Sequence, residues 1–361
     1  MQFELSETQQ LLAKTARQFL AAECPIAEVR RIMETPTAHD PALHRKMADQ
    51  GWTGIAIPEE QGGMGLGMIE LAATFEQLGR ALVPGAFFST VALAAPLLET
   101  ADQLAPLCEG AQTATAALIE ADADWNPANW QLPAVNNHLT GAKMFVPDAA
   151  QASFLIAAAR DNGSLAIYRI EPNAPGLEII PLKSIDLTRR LYEVRFHNTP
   201  AEPILTGPAA EQAIARALQI ATLALTAEMA GGMARVLELT VEYAKARKQF
   251  DTPIGKFQAV QHMCADMYLW SESTKSAVYY AAYALDKNLP EAASALSVAK
   301  VYAADAYREI GNRAIQIHGG MGFTWENDVH LYYRRAKAGE TMLGDNVFHR
   351  ERLASIIIGS L

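Results

Sequence analysis

Leu12, Ala16, Phe19 and Leu20 fall on one helical stripe near the start of the chain, and Ser6 with Gln9 forms a capping box ahead of it, hydroxyl and amide each satisfying a free backbone N–H. A helical pattern resumes from Glu70 to Leu82, and Phe87 to Leu98 reads as a mostly apolar helix. Between these, Gly51 to Gly67 is glycine-dense and reads as a structural loop between helices. The texture changes at Thr113. Short apolar runs (116–119, 154–158, 165–170, 177–180 and 192–196) alternate with Asn, Pro, Asp and Gly as far as Leu205. That spacing predicts a small antiparallel β domain or barrel. Beyond Pro208 the pattern is helical again. Leu218 to Phe250 is one long apolar-rich stretch whose small residues, Ala230, Gly231 and Gly232, allow close helix packing. Two more long helices over 257–287 and 291–317, then two shorter ones, predict a bundle. The fold class is therefore α+β: an N-terminal helical domain (1–112), a middle antiparallel β domain (113–205) and a C-terminal helical bundle (206–361).

Composition narrows the function. Of 361 residues, 50% are hydrophobic and 19% charged, the balance of a packed globular protein. A net charge of −10 disfavours a nucleic-acid partner, while leaving room for a local basic groove. Cys24, Cys108 and Cys264 are far apart and lack CxxC spacing, so they read as reduced, buried thiols. The opening Met-Gln-Phe-Glu-Leu-Ser lacks the basic-then-apolar form of a signal peptide, and no apolar run suggests a membrane span. The expectation is a cytoplasmic protein.

Two stretches carry candidate chemistry. Tyr243 to Gln258 closes one long helix and opens the next, and the junction holds Arg247, Lys248, Gln249 and Phe250 ahead of Pro253 and Gly255. Cations at a helix end are ordinary. A cation, an amide and an aromatic together also suit an anionic, planar ligand. Gln316 to Phe323 ends another helix in Gly319, Gly320 and Gly322, glycines that let backbone approach a ligand. His318 lies inside that motif, as a cofactor contact or as a packing histidine; His262 and His349 read as structural. No His/Cys/Asp cluster has metal spacing.

Together these motifs, with the Gly-Trp, Pro-Glu-Glu and Gly-Gly-x-Gly of residues 51–65, resemble the acyl-CoA dehydrogenase family of flavoproteins from end to end. The resemblance implies FAD-dependent α,β-desaturation of an acyl-CoA thioester. A base takes the α proton, hydride passes to flavin N5, and an electron-transferring flavoprotein is the acceptor. It also implies that Arg247, Gln249, Phe250, Phe257, Gln258, Gln316, Gly319 and Gly320 bind the ADP half of an FAD held by a neighbouring subunit. The chain departs from the family where the flavin ring is normally touched. A loop expected to read Thr-Glu…Gly-Ser is Leu118 to Trp125, and a Trp-Ile-Thr-like segment is Lys143 to Asp148. The two usual positions of the catalytic glutamate hold Leu343 and Ala221, and the family's glycine after the motif Phe is Asp251. Asp345 is the first substitute base, followed by Glu340 and Glu228. Motifs for a neighbour's FAD are kept while the chain's own flavin contacts and base are lost. That pattern resembles the smaller, divergent subunit of bacterial two-subunit acyl-CoA dehydrogenases known in steroid side-chain breakdown. The alternatives are a homo-oligomer using Asp345, and a non-catalytic partner subunit or acyl-CoA-binding scaffold.

Overall fold

The structure is a computed structural model and describes residues 5–359. Met1, Gln2, Phe3 and Glu4, over which much of the signal-peptide reading runs, lie outside the described residues. Five helices come first: α1 (Glu7–Glu23), α2 (Ile26–Met33), α3 (Pro41–Asp49), α4 (Met68–Arg80) and α5 (Ala101–Cys108). Eight strands follow: β1 (Ala114–Ala117), β2 (Pro133–Val135), β3 (His138–Pro147), β4 (Phe154–Asp161), β5 (Ser164–Ile170), β6 (Leu177–Pro181), β7 (Leu191–Pro200) and β8 (Glu202–Thr206). Then come α6 (Pro208–Ala246), the short strands β9 (Lys248–Gln249) and β10 (Thr252–Pro253), α7 (Gln258–Asp286), α8 (Ala292–His318), α9 (Val329–Thr341) and α10 (Asn346–Ile358). This is the helix, sheet, helix order expected from the sequence.

The chain packs as two compact units, one of residues 1–28, 68–83 and 222–361 and the other of residues 29–67 and 84–221. The first is a helical bundle. Its α1 opens on the expected capping box, with Ser6 Oγ accepting from Gln9 N–H and Gln9 Oε1 accepting from Ser6 N–H. Within it α4 and α6 touch backbone to backbone. A Cβ added at Gly231 would lie 1.7 Å from Glu76 O, and one at Gly79 would lie 2.0 Å from Glu228 O. Only glycine permits this approach, which is the close packing read from Ala230-Gly231-Gly232.

The second unit is built on an eight-stranded sheet in the order β6-β7-β3-β2-β4-β5-β8, with β1 beside β4. Most pairings are antiparallel, but β1 and β2 each run parallel to β4. Its interior is formed by Leu139, Leu155, Ala157, Tyr168, Ile170, Tyr192, Val194 and Phe196. Each expected apolar run overlaps a strand. The helix expected from Phe87 to Leu98 is instead a π-helical turn (Ser89–Ala94) followed by a 3-10 turn (Ala95–Leu97). Pro96 has no N–H to continue the ladder. The glycine-dense loop bonds to itself, Met64 N–H donating to Gly54 O at 2.9 Å and Gly65 N–H to Ile57 O at 2.8 Å, which is a structural loop. Among the described residues one helix, α6, is long and apolar enough to cross a membrane, and most of its apolar stretch is buried within the protein.

Candidate functional site

In the helical unit, α6 ends at Ala246 and the chain turns back on itself at once. Lys248 pairs with Pro253 and Gln249 with Thr252, and Ile254 N–H closes the turn on Arg247 O at 2.8 Å. The two turn residues, Phe250 (φ 51°) and Asp251 (φ 60°), are both left-handed. This is the two-residue hairpin turn that normally recruits Asn or Gly. Aspartate tolerates the conformation, which accounts for Asp251 where the family has glycine. Phenylalanine does not favour it, yet Phe250 holds it while 90% exposed, its ring edge-on to Phe257 at 6.5 Å between centroids. A strained, solvent-presented aromatic makes this turn a candidate surface for a partner or ligand. Arg247, Lys248, Gln249 and Gln258 are exposed around it. Helix α7 starts with no side-chain cap, so its first N–H groups face water or a ligand.

The second motif reaches the first through aromatic stacking. Tyr243, one turn before Arg247, stacks on His318 at 4.3 Å, and its hydroxyl donates to His318 O at 3.4 Å. The His318 ring donates from Nδ1 to Ala314 O at 2.8 Å and is buried. Burial lowers its pKa, partly opposed by that bond. It is a packing histidine that joins the two motifs. Beyond it Gly319 (φ 60°, ψ −139°) adopts a backbone that side-chain-bearing residues avoid, and Cβ atoms at Gly319 and Gly320 would meet nothing within 4 Å. Gln316, Gly319 and Gly320 are exposed on this open face.

The sheet unit treats its candidate segments differently. Lys143 is wholly buried and donates from Nζ to Leu118 O at 2.7 Å and to Glu120 Oε1 at 2.8 Å, over the Trp130 ring at 5.5 Å. Burial pulls its pKa down to about 8, with Glu120 pulling the other way. Glu120 also accepts from the N–H groups of Gln131 at 2.9 Å and Leu132 at 2.8 Å. Burial raises its pKa, but Lys143 and those N–H groups outweigh it and leave it below the usual range. Asp148 is buried and accepts from Ser89 Oγ and from Gln151 Nε2, each at 2.8 Å. Pro147 offers no donor, since its ring removes the N–H and its carbonyl already accepts from Thr115 Oγ1 at 2.6 Å. The two segments that resemble flavin-ring loops are thus bonded into the sheet unit itself. The Lys143–Glu120 clamp was not legible as a site. It has no parity signal, because Gly141 and Phe145, which alternate with Leu139 and Lys143 along β3, are exposed.

At the two positions where the resemblance places the base, Ala221 is fully buried in α6, and Leu343 is 3% exposed with φ 61°. The turn around Leu343 is pinned from behind. Lys300 Nζ donates to Glu340 O at 3.1 Å and Gly344 O at 2.9 Å, and His349 donates from Nε2 to Leu343 O at 3.0 Å. Asp345 is exposed and caps α10 by accepting from Phe348 N–H at 2.9 Å. Glu340 pairs with Arg308 at 2.6 Å and Lys337 at 3.5 Å. Glu228 is buried 3.7 Å from Arg335. Each substitute carboxylate thus has a structural partner. No group of His, Cys, Asp and Glu among the described residues is placed to hold a metal.

Comparison with known proteins agrees with this arrangement. A family model described as the acyl-CoA dehydrogenase C-terminal domain matches residues 211–358, and one described as the acyl-CoA dehydrogenase N-terminal domain matches residues 6–103. The chain is 31% identical over 343 residues to acyl-CoA dehydrogenase IpdE2 of Mycolicibacterium smegmatis, covering 94% of this chain and 96% of that one. Among solved structures it resembles the Tcur3481–Tcur3483 steroid ACAD, with TM-score 0.88, 28% identity and 98% of each chain covered. It also resembles a ChsE4–ChsE5 complex from Mycobacterium tuberculosis, with TM-score 0.90, 25% identity and all of each chain covered. With family domains matched at both ends and a relative aligned along nearly its whole length, the chain belongs to the acyl-CoA dehydrogenase family, oxidoreductases whose function is FAD-dependent dehydrogenation of acyl-CoA thioesters.

Proposed function

We propose that this chain is one subunit of a two-subunit acyl-CoA dehydrogenase and completes the binding site of an FAD carried by a related, catalytic chain. The observation that carries the reading is the contrast between two regions. Phe250 is held strained and exposed among Arg247, Gln249 and Gln258, while the base positions hold buried Leu343 and Ala221. The residues present fit the ADP half of FAD. Arg247 has no ion-pair partner among the described residues, and a guanidinium suits pyrophosphate oxygens. Gly319 and Gly320 leave room for close approach of a ligand. The flavin ring is not fitted by this chain's own sheet, where Glu120 is engaged by Lys143 and Pro147 has no donor. Two solved relatives, the Tcur3481–Tcur3483 steroid ACAD and the ChsE4–ChsE5 complex, carry paired names that agree with a hetero-oligomeric reading.

When bound, FAD supplies acceptance of the β hydrogen as hydride. In this proposal Arg247, Gln249, Phe250, Phe257, Gln258, Gln316, Gly319 and Gly320 would hold the ADP half of FAD, with Arg247 on its phosphates, and the partner would take the proton of the acyl-CoA. Reoxidation by an electron-transferring flavoprotein and a cytoplasmic location belong to the same proposal, as does the division into segments 1–112, 113–205 and 206–361. A self-sufficient homo-oligomer is the second reading, favoured by the exposure of Asp345 two residues past Leu343. The test is the visible spectrum of the chain purified alone and after co-expression with a related catalytic chain, with released FAD quantified. The expected result is no flavin alone and a yellow, active complex. About one FAD per chain alone, with activity lost on Asp345→Asn, would give the site to the homo-oligomer. No flavin in any pairing would leave only a scaffold.

A further inference from the structure

The helical unit contains a cavity of about 440 Å³ between α1, the start of α2, α4, α6 and α9, away from the Arg247–Gly320 face. One wall carries three arginines, Arg17, Arg80 and Arg235, and all three converge on a single carboxylate, Glu238. Arg80 is in direct contact with it, Arg235 lies at 3.2 Å and Arg17 at 3.6 Å. Three guanidiniums bring about fifteen N–H donors against about four acceptor sites on one carboxylate. Tyr332 donates its hydroxyl to Arg80 O at 2.8 Å and accepts from Arg235, Gln77 adds a neutral amide, and Asp328 adds one negative charge. The wall is left with a surplus of one positive charge. The rest of the lining is mostly apolar and includes Leu20, Ala21, Ile26 and Leu239.

We infer that this cavity binds an amphipathic monocarboxylate, such as a medium-chain fatty acid, with its head among Arg17, Arg80 and Arg235 and its tail along Leu20, Ala21 and Leu239. A surplus of a single charge matches a monoanion better than a phosphate dianion. The planar fork of a guanidinium matches a carboxylate, and the volume lies within the range of small-molecule sites. Arg17, at 57% side-chain exposure, sits at the mouth, while Arg80, at 13%, lies deeper.

The test is isothermal titration of the full chain with octanoate, beside 1-octanol (same tail, no charge) and sulfate (charge, no tail). Two variants accompany it: Arg17→Ala removes an exposed guanidinium, and Ala21→Phe fills the cavity from an exposed position without touching charge. Circular dichroism confirms that both variants fold. Saturable octanoate binding at one site is expected, about tenfold weaker in Arg17→Ala and abolished in Ala21→Phe, with neither control binding comparably. Octanoate binding that survives both variants lies elsewhere and overturns the assignment. Equal binding of octanol or sulfate, or no octanoate binding, also overturns it.

Discussion

Glu120→Gln tests the electrostatics of the sheet unit most sharply. Lys143 lies wholly buried between Leu118 O and Glu120, and burial has drawn its pKa to about 8. At pH 7 its charged form is favoured in the folded protein by about one pH unit, or about 1.4 kcal/mol. Removing the countercharge drives the pKa lower, but the lysine can then shed its proton. Its share of the cost is therefore capped at about 1.4 kcal/mol at that pH. Weaker bonds from the Gln131 and Leu132 N–H groups to a neutral amide add about 1 kcal/mol. Urea denaturation should show a loss of about 2–3 kcal/mol at pH 7, falling to about 1 kcal/mol near pH 10, where the lysine of the unmutated protein is already neutral. A loss of about 4 kcal/mol at pH 7, the scale of an orphaned buried charge, refutes the escape by deprotonation. A loss that stays the same near pH 10 refutes the role of charge.

Burial holds His44 and His349 near pKa 4, with His39 and Lys300 respectively adding to the effect. Their folded values lie below the ordinary value of about 6.5, so the stability they contribute is present above that pH. It is lost as the pH falls toward 4, by up to about 3 kcal/mol each, measurable as a falling urea midpoint. Gly231→Ala places a methyl group against Glu76 O, a backbone atom that cannot yield, and should cost about 3 kcal/mol or more by thermal or chemical denaturation. Gly320→Ala, with open space around it, should leave stability within about 0.5 kcal/mol by the same measurement. Phe250→Asn should raise the stability of the isolated chain by about 1 kcal/mol by relieving its left-handed strain, while lowering the FAD retained by the complex. No gain in stability would mean that the turn holds no strain.

Much of this arrangement was legible because it rests on local rules. The Ser6–Gln9 box, the long helices and the open glycine end of α8 follow from cap, period and breaker. Lys143 was legible only as a departure from a family pattern, because its partner Glu120 is distant in sequence and only the folded sheet brings them together. Strand β3 was hidden because Gly141 and an inward lysine break its apolar alternation. The π-helical turn at Ser89–Ala94 was invisible to an apolar count, which cannot separate helix types. Asp345 drew notice for its charge, and its cap to Phe348 N–H depends on where α10 starts. The cavity beside Arg17, Arg80 and Arg235 draws on residues from several segments and has no linear signature.

The turn at Leu343 separates architecture from reagent. Its carbonyls are gripped by Lys300 and His349, so its course is dictated by α8 and α10 and not by the side chain at its tip. The leucine at φ 61° sits buried on a frame that Lys300 and His349 also hold. A frame held in this way fixes the backbone whatever group position 343 carries, so the outline of the turn is no measure of the reaction.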